Sequence, residues 1–123
     1  MTRSRQSAKA AGTRFERAIA DYLAAVLDDR IDRRVKTGSK DRGDIGGVRT
    51  PFGGRVVIEC KDAARHDLGG WVRQAQVEAG NDDAVMGVVV AKRRGYGDPA
   101  DQYVICTDRE LVALLTPTEP VTP

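Results

Sequence analysis

Apolar residues fall at Phe15, Ile19, Tyr22, Leu23 and Val26, the three-and-four spacing of one helical face, and predict a helix over residues 13–27. A short strand is expected at 33–37. Residues 44–50 and 55–62 read as two further strands, joined by the turn residues Pro51-Phe52-Gly53-Gly54. A second helix is expected over 68–79, stopped by Gly80-Asn81-Asp82. The nearly continuous apolar run 84–91 has the character of a central buried strand. Residues 102–106 read as another strand, and Asp108 is placed to cap a last helix through Leu115. The pattern describes one α/β domain over 13–115, with a central mixed β-sheet flanked by helices in the order αβββαβ. Residues 1–12 are expected to be a flexible basic arm, and the Thr/Pro-rich residues 116–123 a flexible tail.

One break in this pattern carries chemistry. The apolar run Val56-Val57-Ile58 ought to continue into a core, yet it meets Glu59 and Lys61. Two apart on a strand, those side chains share a face, and burying them is costly unless they are paired or used. A turn centred between Phe52 and Gly53 sets Thr50 opposite Arg55, Val48 opposite Val57, Gly46 opposite Glu59 and Asp44 opposite Lys61. Asp44 and Glu59 are then diagonal neighbours on one face, about 7–8 Å apart at the backbone and in reach of a shared ion. A slip of one residue turns Asp44 to the other face. The plainer alternative is a surface hairpin with an Asp44–Lys61 ion pair.

Composition narrows the setting. The 123 residues are 41% hydrophobic and 31% charged, as expected for one soluble globular domain. No apolar run is long enough for a membrane span, and the basic N-terminus lacks the apolar segment of a secretory signal. Cys60 and Cys106 lie in strand-like runs and are expected as reduced core thiols of a cytoplasmic protein, without zinc-ligand spacing. His66, the one histidine, is expected as a solvated loop side chain, and Trp71 in the core or at a dimer contact. The net charge is only +2, but the charges are segregated. Residues 1–17 hold five basic residues against one glutamate, and residues 30–43 hold six against two aspartates. Lys92-Arg93-Arg94 adds a third cluster, while residues 98–123 are acidic. Basic clusters around an acidic centre suit a polyanion held over a metal site. The candidate phosphate contacts are Lys36, Lys40, Arg42, Lys92, Arg93 and Arg94.

The chemistry of such a site is phosphodiester hydrolysis. Mg²⁺ held by hard oxygen ligands activates water and offsets phosphate charge, with Mn²⁺ as a substitute. Asp44 and Glu59 supply the carboxylates, and the Cys60 backbone carbonyl is the third candidate ligand. Lys61 is placed to orient the attacking water or to stabilise the pentacovalent charge. Asp41 is a competing carboxylate, read here as a loop residue, and Asp62 should point away from the Lys61 face.

A helix with a glutamate, then Gly43-Asp44, a β-turn, Glu59-Cys60-Lys61 and a helix with a glutamine form an order that resembles the PD-(D/E)XK nuclease superfamily. Within it the chain most resembles the archaeal-type Holliday-junction resolvases and their phage relatives. The resembling segment runs from Gly12-Thr13-Arg14-Phe15-Glu16 through Gln74 and includes the strand at 85–91. Gly43 stands where the family pattern has proline. The resemblance implies a restriction-endonuclease-like core, with Asp44 and Glu59 as metal ligands and Lys61, Glu16 and Gln74 as further catalytic residues. For Glu16 it implies a possible metal or water ligand, whereas Thr13-x-x-Glu16 also reads as a capping box. Gln74 and Glu78, four apart, also read as a surface pair. Cleavage leaving 5′-phosphate and 3′-hydroxyl ends is implied.

The chain is little more than a catalytic core, so basic residues can hold phosphates without reading bases. Branched DNA has two equivalent scissile strands, which a two-fold homodimer matches. The expectation is a structure-selective, Mg²⁺-dependent DNA endonuclease of the resolvase type, acting in recombination in a bacterial cytoplasm or encoded by a phage. Two alternatives stand beside it: another nuclease of the same core (restriction, repair or flap type), and a non-catalytic nucleic-acid-binding module.

Overall fold

The alternating helix and strand signals assemble into an open five-stranded mixed sheet with helices on both faces. The computed structural model describes residues 4–36 and 38–117. Helix α1 (Arg5–Val26) precedes β1 (Asp32–Arg33), β2 (Ile45–Gly46) and β3 (Val56–Lys61). Then follow α2 (Leu68–Asn81), β4 (Met86–Ala91), a 3-10 turn at Pro99–Asp101, β5 (Tyr103–Ile105) and α3 (Asp108–Leu115). The strands lie side by side in chain order. β3 and β4 run parallel, joined through α2, and the other neighbours are antiparallel. No described helix is long and apolar enough to cross a membrane.

The two-residue alternation of β3 and β4 decides which helix covers which face. Val56, Ile58, Met86, Val88 and Val90 pack with Phe15, Ile19 and Ala20 of α1, and Leu114 of α3 joins them. Val89 and Ala91 pack with Trp71 and Ala75 of α2. Glu59 and Lys61 are therefore carried on the α2 face. That helix lies close to the sheet: a Cβ at Gly87 would run into the Ala75 carbonyl.

Several boundaries differ from the sequence expectation. α1 opens at Arg5, two turns before residue 13, because Ser4 accepts the Ser7 N–H at 3.1 Å and Ala8, Ala10 and Ala11 favour helix. Buried Ala11 extends the Phe15–Ile19 stripe back by one turn. The expected arm is thus helical from residue 5, and Thr13 lies inside the helix, where no capping box forms. α3 is capped by Thr107 rather than Asp108: the Thr107 N–H and hydroxyl both donate to the Glu110 carboxylate. Residues 1–3, Thr37 and most of the expected tail, 118–123, lie outside the described residues.

The hairpin register also departs from expectation, in a way that decides the site. Arg49 pairs with Arg55, and the Thr50 N–H reaches the Gly54 carbonyl at 2.8 Å, so the turn closes one residue tighter than supposed. Ile45, however, pairs with Ile58. Four residues separate Ile45 from Arg49 and three separate Arg55 from Ile58, so the outgoing strand holds one extra residue, a β-bulge. Gly47, with φ of 88°, takes the left-handed conformation there. The tight turn alone would have moved Asp44 to the wrong face; the bulge moves it back. Asp44 stands level with Glu59 instead of Lys61, and Gly46 no longer faces Glu59.

A Cβ on Gly47 would meet the Arg30 carbonyl oxygen at 3.0 Å, whereas one on Gly53, also at positive φ, meets nothing within 4 Å. Gly53→Ala is expected to cost only the left-handed backbone penalty, about 1–2 kcal/mol. Gly47→Ala should cost more, as a larger fall in the urea midpoint, and should also weaken divalent-cation binding. Equal losses in the two variants would remove the bulge from this role.

Candidate metal centre

Asp44 is fixed from three sides before its carboxylate meets anything else. Its N–H reaches the Ile58 carbonyl at 2.8 Å, and its carbonyl accepts the Arg34 N–H at 2.8 Å. Its Oδ2 accepts the Cys60 N–H at 2.8 Å. β2 begins too late in the chain to pair that N–H with backbone, and the Asp44 side chain takes the place in the plane of the sheet. The N–H and C=O of one strand residue point to the same side, so the Cys60 carbonyl is directed toward Asp44 as well.

The rest of the cluster is assembled from the α2 face. Gln74 Nε2 donates to Glu59 Oε2 at 3.1 Å and to Glu78 Oε2 at 3.0 Å, while its Oε1 accepts from Lys61 Nζ at 2.8 Å. One amide thus fixes the lysine relative to two carboxylates. Asp44, Glu59 and Glu78 are each no more than 3% exposed. Carboxylate oxygens of Asp41, Glu59 and Glu78 lie within 4.8 Å of one another. Asp41 is brought in by its loop, whose carbonyl accepts from Asn81 Nδ2 at 2.8 Å and whose Oδ1 accepts the Gly43 N–H at 2.9 Å. Beside it Arg34 pairs with buried Asp82 at 2.9 Å, which clasps the loop region to the end of α2.

Crowding governs the electrostatics. Burial pushes the Glu59 carboxyl up to about 11, reinforced by its hydrogen bond with Asp44, the Asp44 charge and Glu78. Glu78 is raised, first by burial and also by the Asp41 and Asp44 charges. Glu16 is raised by burial and then by Asp44, with Arg33 opposing. The Lys36 ammonium stands 4.0 Å from both Asp41 and Asp44. Burial works against its charge, but Asp44, Asp41, Glu59 and Glu16 outweigh this and raise its pKa. Glu78 Oε1 is buried without a hydrogen-bond partner among the described residues.

The structure groups Asp44, Glu59, Lys61 and Gln74 and adds two carboxylates. Asp41 is a cluster member, not a spectator in its loop. Glu78 is buried, not half of a surface pair. A signal for Glu78 exists in the sequence: with Trp71, Ala75 and Ala79 it falls on the covered stripe of α2, where an unpaired carboxylate is out of place. Glu16 lies on α1, feels the Asp44 charge, and is paired with Arg33 at 3.4 Å. Lys36 borders the carboxylates, and Lys40 and Arg42 are exposed in the Asp41 loop. Lys92 stands 5.8 Å from the Phe15 ring on the α1 side, apart from Arg93 and exposed Arg94. Asp62 lines a cleft with Arg14, Phe15 and Lys92, away from Lys61 as expected. Cys60 is a half-buried free thiol held high by burial and the nearby carboxylates. Cys106 is free but exposed, not in the core, because the strand ends before it.

An all-oxygen donor set with one orphaned buried carboxylate oxygen fits a hard divalent cation such as Mg²⁺. Without a cation, the folded chain retains a proton on Glu59 that the unfolded chain releases above its ordinary 4.5. That contribution is fully present below about pH 4.5 and is lost as pH rises toward 11. In EDTA, stability is expected to fall with rising pH over this window. Glu59→Gln should flatten the dependence and raise the thermal midpoint at pH 8 by a few degrees. Mg²⁺ should stabilise the wild type at pH 8 and not the variant. Urea and thermal melts with and without Mg²⁺ check this.

Compared with known proteins, the chain matches no family model, no curated protein and no solved structure.

Proposed function

We propose that this protein is a Mg²⁺-dependent DNA endonuclease of the PD-(D/E)XK type, selective for branched DNA and closest in character to Holliday-junction resolvases. The observation that carries the reading is the placing of Asp44 level with Glu59, with Lys61 tied to Glu59 through Gln74. The mixed sheet and its strand order agree with a restriction-endonuclease-like core.

Asp44, Glu59 and the Cys60 carbonyl would hold the cation, with Glu78 and Asp41 adjoining on the α2 side. Such an ion, when bound, supplies an activated water and a counter-charge for the phosphate. Lys61 orients the attacking water and meets negative charge on the phosphoryl oxygens. Gln74 positions Lys61 and Glu59. Water oxygen bonds to phosphorus as the bond to the 3′ oxygen breaks, giving 5′-phosphate and 3′-hydroxyl ends. Lys36 borders the carboxylates, and with Lys40, Arg42, Arg93 and Arg94 it would supply phosphate contacts without reading sequence. Glu16, on the neighbouring helix, would serve as a further metal or water ligand.

Two copies acting together would match the two scissile strands of a junction. Exposed Leu27 and Val104 line an apolar cleft with Tyr22, Leu23 and Leu114 on the α1 side of the sheet, which is available for such pairing.

Asp44→Asn and Glu59→Gln are each expected to lower Mg²⁺-dependent nicking of a four-way junction more than about 100-fold while junction binding persists in a gel-shift assay. Gln74→Ala should cost about 10–100-fold. Undiminished cleavage in Asp44→Asn would place the chemistry elsewhere. Symmetric nicks on four-way DNA, with flap, mismatched and linear duplexes cut poorly, separate a resolvase from other nucleases of this core. Sedimentation should give twice the 13.3 kDa mass of the chain.

A further inference from the structure

An aromatic and cationic surface lies on the same sheet face as Lys61, two strands away. Lys61 is registered with Ala91 in β4, and Ala91 with Tyr103 in β5. At the spacing of neighbouring strands this sets Tyr103 about 10 Å from Lys61 at the backbone. The His66 ring stands 6.4 Å from Tyr103, edge to face, and 5.4 Å from Trp71. The Arg93 guanidinium lies over Tyr96 at 3.5 Å from the ring centre and 5.3 Å from that of Tyr103. Tyr96 and Tyr103 are each 45% exposed.

The core does not require this arrangement. Trp71 fills the core beneath, while His66 and the tyrosines present rings to solvent. The loop that carries Arg93 and Tyr96 is held in shape by Gln102. Gln102 Oε1 accepts the Arg93 N–H, and its Nε2 donates to the Tyr96 and Asp98 carbonyls at 2.8 Å each. Exposed rings interleaved with a stacked guanidinium, beside Arg94 and Arg65, match the means by which proteins hold unpaired bases along a charged backbone.

We propose that His66, Tyr103, Tyr96 and Arg93 form a stacking subsite for one or two unpaired nucleobases of single-stranded DNA. The offset of about 10 Å from Lys61 corresponds to about three stacked nucleotides. Its use beside a cleaved bond rests on the nuclease reading; the binding itself does not. The subsite gives this chain an affinity for unpaired bases that a purely phosphate-reading surface lacks.

The test is binding in EDTA, where no cleavage occurs. A short oligothymidylate and an abasic oligonucleotide of equal length are titrated against Trp71, the one tryptophan. The base-containing strand should quench Trp71 emission and bind about tenfold more tightly than the abasic one. Tyr103→Leu, which retains apolar bulk at an exposed edge, should abolish that difference, and His66→Ala should reduce it. Equal affinity of wild type for the two strands overturns the proposal, as does Tyr103→Leu binding that still distinguishes them. A protein that stacks bases but never cuts with Mg²⁺ retains the subsite and loses only the nuclease reading.

Discussion

Carboxylates repel, and this fold holds Asp41, Asp44, Glu59 and Glu78 close together at the end of a short strand. Three of them are almost wholly buried. A buried charge is tolerated only when something answers it. Here the answers are partial: one amide shared by two glutamates, one backbone N–H for Asp44, and the Lys36 ammonium at 4.0 Å. The raised proton affinities of Glu59 and Glu78 are what remains of the imbalance. A hard cation would resolve it, and the Asp41 loop, the bulge and the polar side of α2 are the elements that would bring its ligands together.

Much of the sheet was legible because apolar periodicity reports burial. The runs at Val56–Ile58 and Met86–Ala91 announce interior strands, and the break at Glu59 and Lys61 announces polar work within them. Glu59, Lys61 and Asp44 were therefore within reach of pattern reading, while Gln74 came only through the family resemblance. Register was not. It turns on whether three or four residues close the turn and on a left-handed glycine in the middle of a strand, and neither leaves a trace in the spacing of side chains. The correct face for Asp44 was reached through two departures that cancel.

The missed members share a cause. Glu78 sits on a helix stripe whose neighbours are apolar, so its spacing to Gln74 resembled an ordinary surface pair. Asp41 belongs to a loop, and loops have no periodicity; its position depends on Asn81, forty residues later in the chain. The start of α1 was misplaced because residues 4–10 are exposed, and exposure removes the apolar signal by which helices are recognised. Alanine content and the Ser4 cap were the available clues.

The clasp between the Asp41 loop and the end of α2 reaches beyond holding one carboxylate. Asn81 and Asp82 terminate a helix, a place where most chains tolerate exchange freely, yet here they anchor Arg34 and a glycine-flanked loop from another part of the fold. Drift at that helix end is therefore not independent of drift in the loop. The two segments constrain each other's mutational freedom despite their separation along the chain.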